Sequence, residues 1–283
     1  MSRRTQLVAA TAAFAIATSL GGAPLGARPS VLPAGAAARP AQAAAACAID
    51  WPAHRAEVEA CLRECPIDRI EDVPIGVTRP KRAFFAAGSV ARSAAWKPLR
   101  PGRYAGYWES YKSEIAAYEM DRLLGLDRVP PAVERRVDGD LGAAILWMER
   151  VSDWDPRVAV QPTDRLGWDR EIIRMKMFDQ LIANIDRNQG NLLYDADFHL
   201  ILIDHSRAFT SEKNISKLAQ PNRIDGLVWD KIEALTFEQL KGALGRWVLG
   251  DGDIRAILER RDRMRQQIDA MVAEKGARLV FIR

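Results

Sequence analysis

The chain is poor in side chains that bind transition metals, having three histidines and three cysteines among 283 residues. His54 is isolated near the cysteines, while His199 and His205 lie far downstream, so no zinc-binding spacing is present. All three histidines read as ordinary surface or core residues. Cys47, Cys61 and Cys65 would allow one bridge and leave one thiol over in an oxidising compartment. Cys61 and Cys65 are four apart on a helical pattern, which favours Cys47 as the partner of one of them. The chain also lacks net charge after its leader. The formal +4 reflects 41 basic and 37 acidic residues, and residues 1–46 hold Arg3, Arg4, Arg28 and Arg39 with no acid. Removing those four leaves 37 basic against 37 acidic residues. A near-neutral chain offers nothing to nucleic acid or an anionic membrane.

No apolar run is long enough to span a bilayer stably, and Leu7 to Leu20 falls short of the roughly 20 residues required. That run follows the basic pair Arg3-Arg4 and precedes an Ala/Gly/Pro-rich stretch with small-residue cleavage sites, the order of an export signal. Ser2-Arg-Arg-Thr-Gln-Leu7 faintly resembles a twin-arginine signal. The Ala-rich approach to Cys47 offers a weak lipoprotein site. Residues 1–46 are therefore read as a leader and the protein as exported, periplasmic or extracellular, with no transmembrane segment once the leader is removed.

What is present after the leader divides into two halves, as expected of an α+β, two-lobed arrangement. Residues 47–151 form a strand-rich part behind a cysteine-containing extension, and residues 152–283 form a mainly helical part. In the first, Arg82–Ala87 and Val90–Lys97 read as strands joined by a Gly88-Ser89 hairpin. Alternation places Ala91, Ser93, Ala95 and Lys97 on one face. A lysine beside small residues suits a nucleotide cleft, with Ala95 leaving room for an adenine ring and Lys97 reaching phosphates. Gly76–Arg82 sits where a phosphate-covering loop belongs, yet it lacks a G-x-G-x-x-G pattern and must rely on Arg and Lys side chains. Glu109 to Leu126 reads as a helix with Ala116, Met120, Leu123 and Leu124 on its apolar face. It offers Glu114 or Glu119 as a partner for Lys97. Two strands follow around the Asp138-Gly139 turn. Ala143 to Glu149 then leads to the second half as a hinge whose backbone reads adenine, with Glu149 among the cofactor-binding positions.

The second half carries the densest signal, Ile185-Asp-Arg-Asn-Gln-Gly-Asn191 followed by Leu200-Ile-Leu-Ile-Asp204. A helix over Trp168–Ile185, with Ile172, Met175, Phe178, Leu181, Ile182 and Ile185 as a core stripe, would deliver Asp186 to the cleft. Strands Asn191–Tyr194 and Phe198–Ile203 would bring Asn191 and Asp204 together. An Asp, an Asn five residues on and a second Asp at a strand end form the layout of phosphoryl transfer. One carboxylate meets a hydroxyl, while the other two groups hold divalent cations. Asp, Asn and Gly are also ordinary turn residues, so a plain polar loop is the competing reading. The abundant charges of the last helix read as a solvated face.

Lys97, Glu114, Asp186, Asn191 and Asp204 occur in an order that resembles the protein-kinase-like superfamily over roughly residues 73–210. The wording is similar to secretory-pathway kinases of the Golgi casein kinase type and to phosphatidylinositol 3/4-kinase-like proteins. Glu114–Leu124 with Arg128-Val-Pro-Pro131 resembles the secretory kinases' Glu-bearing helix, which favours Glu114 over Glu119. Asp204-His-Ser-Arg-Ala-Phe209 resembles their metal-binding Asp motif. The resemblance implies a kinase fold using ATP with Mg²⁺ or Mn²⁺: Lys97 on the phosphates, Glu114 orienting it, Asp186 on the acceptor hydroxyl, Asn191 and Asp204 on metal. The acceptor would be a hydroxyl of a protein, a sugar or a lipid headgroup. Departures are also evident. No Phe-Gly follows Asp204, no Ala-Pro-Glu closes an activation loop, and the secretory kinases carry another residue where Asn191 stands. A nucleotide-binding pseudokinase or exported interaction module is the alternative, and nucleotidyl transfer is a third reading.

Overall fold

In the computed structural model, residues 50–74, 80–155, 157 and 159–283 are described. The leader, Cys47 and most of the expected phosphate-covering loop at Gly76–Arg82 lie outside them. Residues 47–283 form one compact unit.

The first helix, α1 (Arg55–Glu64), buries Val58, Cys61 and Leu62. Cys61 forms its disulfide with Cys65, at a Cα–Cα distance of 4.6 Å, which corrects the expected pairing with Cys47. The reason is local. Cys65 precedes Pro66, and a residue before proline is pushed out of the helical region. Its φ of −55° and ψ of 135° turn the chain away from α1, and the two Cα atoms lie within disulfide range.

A five-stranded antiparallel sheet follows, built from β1 (Ile67–Asp72), β2 (Lys81–Phe85), β3 (Ser93–Lys97), β6 (Ala132–Val137) and β7 (Asp140–Leu146) in the order β1-β2-β3-β7-β6. The β2–β3 pairing exists as expected, but it stops at Phe84 opposite Ser93. The connection therefore runs through Ala86–Arg92 rather than a two-residue turn, with Ser89 N–H turned back on Ala86 O at 3.2 Å. The Asp138-Gly139 turn is as expected, its φ values of 50° and 89° fitting the turn that matches strand twist. Gly142 on β7 is a position where a side chain cannot fit. A Cβ there would lie 2.5 Å from Lys97 O and 2.9 Å from Pro98 Cα. Gly142→Ala should therefore push the end of β3 aside at a cost of about 1–3 kcal/mol, measurable as a lowered thermal midpoint.

A separate hairpin, β4 (Gly102–Tyr104) and β5 (Tyr107–Glu109), leads into α2 (Tyr111–Leu124). The helix is shorter than expected, because Glu109 ends β5 and Ser110 caps the helix, its side chain accepting Lys112 N–H at 3.0 Å. Gly125 closes it in the left-handed conformation. Ala116, Met120 and Leu124 are buried as the periodicity predicts. Asp121, also buried, accepts Arg128 N–H at 3.0 Å through Oδ1. Burial pushes its carboxyl up to about 7. The folded state thus keeps a proton that the unfolded chain loses above about pH 4, so this group's contribution declines as pH rises from about 4 to 7. Asp121→Asn should gain stability relative to the parent across that window, by no more than about 1.4 kcal/mol per pH unit. Chemical denaturation at pH 4.5 and 7.5 checks this.

The second lobe begins with β8 (Ser152–Asp153) and α3 (Arg165–Ile182), whose N-cap Asp164 accepts Gly167 N–H at 3.0 Å. Ala183, left-handed at φ 53°, ends α3 before Ile185, and Ile185 is 47% exposed rather than part of the core. Met175, Phe178, Leu181 and Ile182 are buried as expected. β9 (Leu192–Tyr194) and β10 (Leu200–Leu202) form the expected hairpin in the order β10-β9-β8. The Trp168 ring packs near Trp154, Tyr194 and Phe198 and anchors that small sheet to α3. β11 (Ile224–Asp225), α4 (Gly226–Glu233), α5 (Phe237–Leu244), α6 (Asp251–Lys275), α7 (Ala277–Val280) and β12 (Phe281–Ile282) complete the lobe. The solvated-face reading of the last long helix fails at Arg260, which is fully buried and donates to the carbonyls of Leu181, Thr210 and Glu212 at 2.7, 3.1 and 2.6 Å. No helix among the described residues is long and apolar enough to cross a membrane.

Candidate active site

Lys97 is the last residue of β3 and is nearly buried, at 7% exposure. A buried ammonium is tolerated only when paired. Its Nζ donates to Glu114 Oε1 at 2.8 Å and to Asp204 Oδ1 at 2.9 Å. Burial works to lower the lysine's pKa, but Glu114 and then Asp204 outweigh it and hold the group above its usual range. Burial likewise opposes ionisation of Glu114, and Lys97 outweighs it, keeping that carboxylate well below its usual range. Glu119, the other candidate on α2, instead lies 3.6 Å from Arg122.

Glu114 also ties in the segment that carries Asp204, since its Oε2 accepts His205 N–H at 2.9 Å. Asp204 lies two residues past the end of β10 and has φ 58°, a conformation that Asp tolerates better than most residues and that often marks functional positions. Ser206 Oγ donates to Asp204 Oδ1 at 3.2 Å. His205, fully buried, accepts Arg187 Nη2–H at Nε2 over 2.8 Å. Its Nδ1 is 3.7 Å from Glu114 Oε2, too long for a hydrogen bond. Burial lowers the His205 pKa, favouring the neutral ring.

Asp186 and Asn191 lie on the loop that follows α3. The loop leaves α3 through left-handed Ala183, and Asn184 Oδ1 accepts Asp186 N–H at 3.2 Å. Asn191 Nδ2 donates to Asp186 O at 2.9 Å, which commits the amide nitrogen and leaves the side-chain oxygen as the end suited to a cation. Ile203 N–H donates to Asn191 O at 3.2 Å, so the base of the β9–β10 hairpin joins Asn191 to the residue before Asp204. This sets the backbone of Asn191 beside that of Ile203, one residue before Asp204.

Ala95, half-buried, shares Lys97's face of β3 and is paired across the sheet with Arg82 and Ile145. Glu149 lies in the inter-lobe connection, and its carboxylate is engaged by Arg82 at 2.6 Å and Arg92 at 4.0 Å. Its side chain therefore does not join the Lys97 cluster.

Two contributors, Arg187 and Arg207, are not singled out by the sequence. Arg187 is held by Asp179 through two bonds of 2.9 and 3.0 Å and donates to Asn191 O and Ile203 O, each at 2.9 Å. It locks the Asp186–Asn191 loop to the Asp204 strand. Arg207 Nη1 lies 3.0 Å from Asp186 Oδ2, and the same guanidinium bonds Glu109. The visible signal was position: Arg187 lies inside the Asp-to-Asn interval and Arg207 follows Asp204 by three.

Two other features lie apart from this cluster. A cavity of ≈ 450 Å³ lined by Gln180, Met264, Ile268 and Met271 has Lys275 as its only ionisable lining residue. Asp195, Asp197 and His199 lie close together, but Asp195 accepts the N–H groups of the other two, both at 2.9 Å, as ordinary turn chemistry.

No protein-family model matches the sequence. No curated protein matches it either. Solved structures do. The Golgi casein kinase aligns with TM-score 0.62 and 16% identity over 80% of this chain and 78% of that one. The same kinase with Mn and ADP bound gives TM-score 0.60 at 16% identity, again over 80% and 78%. Hydra Fam20, in a structure with sugar, gives 0.63 at 18% identity over 83% of this chain and 93% of that one. The chain thus has the two-lobed α+β fold of the atypical kinases, with a strand-rich N-lobe and a mainly helical C-lobe.

Proposed function

We propose that the protein is an ATP-dependent phosphotransferase acting on a hydroxyl group. The observation that carries this reading is Lys97, buried and bonded to both Glu114 and Asp204, with Asp186 and Asn191 joined to that cluster through the β9–β10 base. Asn191 and Asp204 offer hard oxygen donors, which suit Mg²⁺ or Mn²⁺. Such ions would neutralise charge on the triphosphate. Lys97 binds the α- and β-phosphates of ATP, and Glu114 keeps its ammonium in place. Asp186 aligns the acceptor hydroxyl and takes its proton. The acceptor oxygen forms a bond to the γ-phosphorus, the bond from that phosphorus to the bridging oxygen breaks, and ADP leaves.

The acceptor class is a protein, sugar or lipid hydroxyl, and Mn with ADP in the Golgi casein kinase structure supports the choice of nucleotide and metal. We place the mature protein outside the cytoplasm, on the order of basic, apolar and small residues in positions 1–46. ATP is scarce there, so the donor has to be encountered before or during export, or supplied locally.

Product analysis with ATP labelled at the γ-position tests the reaction class. ADP together with labelled acceptor supports phosphoryl transfer. AMP attached to the acceptor means nucleotidyl transfer instead, and tight ATP binding without any product means a nucleotide-binding pseudokinase.

A further inference from the structure

Asp186 reaches the cleft on a loop whose backbone and whose carboxylate are met by different side chains. Asn184 and Asn191 bond its N–H and C=O. Among the described residues, Arg207 is the only side chain paired with its carboxylate, through Nη1 to Oδ2 at 3.0 Å. Arg207 is itself fixed from the other lobe. Its Nε and Nη2 both lie 2.7 Å from Glu109 Oε1, and its guanidinium carbon stands 4.5 Å from the centre of the Tyr107 ring. Glu109 is buried at the end of β5, next to the Ser110 cap of α2. Ser110 N–H in turn donates to Ser206 O at 3.0 Å. One edge of a planar fork therefore meets Glu109 while the remaining nitrogen lies 3.0 Å from Asp186 Oδ2, an arrangement a lysine ammonium cannot reproduce.

We propose that Arg207 is a positioning residue for Asp186. It holds Oδ2, leaves Oδ1 to the acceptor hydroxyl, and makes the orientation of the base depend on the β4–β5 hairpin and the start of α2. Because α2 also carries Glu114, the element that sets the phosphate-binding lysine sets the base too. This inference rests on the phosphotransferase reading.

The test is ADP release from Mn–ATP with water as the acceptor, together with Mn–ATP affinity by calorimetry and the thermal midpoint. Arg207→Ala should lower kcat by roughly 10- to 100-fold, the scale of an ångström-level misplacement of a reacting group. ATP affinity should change less than about threefold, since no phosphate-binding or metal-holding group is removed. Arg207→Lys should fall between Arg207→Ala and the parent. In an Asp186→Asn background, Arg207→Ala should cost less than about threefold further, because two residues acting through one contact are non-additive. An unchanged kcat in Arg207→Ala overturns the inference. So does a full additional loss in the Asp186→Asn background, or a loss of ATP affinity and thermal midpoint parallel to the loss of kcat. A parent protein that binds Mn–ATP and releases no ADP overturns the phosphotransferase reading and this inference with it. An active parent with an indifferent Arg207→Ala overturns this inference alone.

Discussion

Replacing Asp186 with alanine is expected to cut turnover by roughly 10²- to 10⁴-fold, the range supplied by a positioned general base, while Mn–ATP affinity stays nearly constant. The separation follows from the geometry. Lys97 contacts both Glu114 and Asp204 directly, whereas among the described residues Arg207 is the one side chain paired with the Asp186 carboxylate. Loss of Asp186 therefore removes an interaction made with the reacting hydroxyl and leaves the nucleotide's partners in place. In kinetic terms kcat and kcat/KM should fall together. Steady-state measurement of ADP release and phosphorylated product checks this, and unchanged turnover removes the base assignment. Arg207→Ala should give a smaller loss of the same kind, because the carboxylate is still present but no longer held.

Arg187→Ala should have the largest effect on stability. Arg187 and Asp179 are an ion pair with side-chain exposures of 8% and 7%, and the guanidinium also meets two carbonyls and the His205 ring. Removing one partner of a buried pair typically costs about 3–5 kcal/mol, because the other charge is left uncompensated. For a folded part of this size each kcal/mol shifts the thermal midpoint by about 2–4 °C, so a drop of roughly 6–20 °C is expected. Replacing Asp179 and Arg187 together with leucine and methionine should cost less than Arg187→Ala, since no charge is then stranded. Thermal unfolding of the three proteins decides the matter. If Arg187→Ala loses only as much as an exposed arginine would, it is not the rivet of this loop.

The parts of the site legible in the sequence are those that carry chemistry in a fixed order along the chain. Lys97 at a strand end, Glu114 on the next helix and the Asp186–Asn191–Asp204 spacing are local patterns, and the structure brings Lys97 into direct contact with both Glu114 and Asp204. The Asp138-Gly139 turn was equally readable, because its positive φ values demand such residues. What escaped the reading depends on tertiary packing or on one dihedral. Ile185 continues the helical apolar stripe of α3, but Ala183 adopts a left-handed conformation that nothing in its side chain announces. The i to i+4 spacing of Cys61 and Cys65 reads as helical, whereas Pro66 forces Cys65 to be extended, a signal also present in the sequence. Arg187, Arg207 and His205 acquire their roles only when distant elements meet. Before folding, an arginine near an aspartate is indistinguishable from an ordinary solvated charge.

The central claim is that residues from both lobes form one metal-dependent nucleotide site. Calorimetric titration of ATP into the mature protein, with Mn²⁺ and with chelator, beside Asp204→Ala, tests it most directly. The account predicts binding that requires the metal in the parent protein and is lost in Asp204→Ala, with both proteins folded by circular dichroism. A folded parent that does not bind ATP, or that binds it equally well without metal and without Asp204, would contradict it.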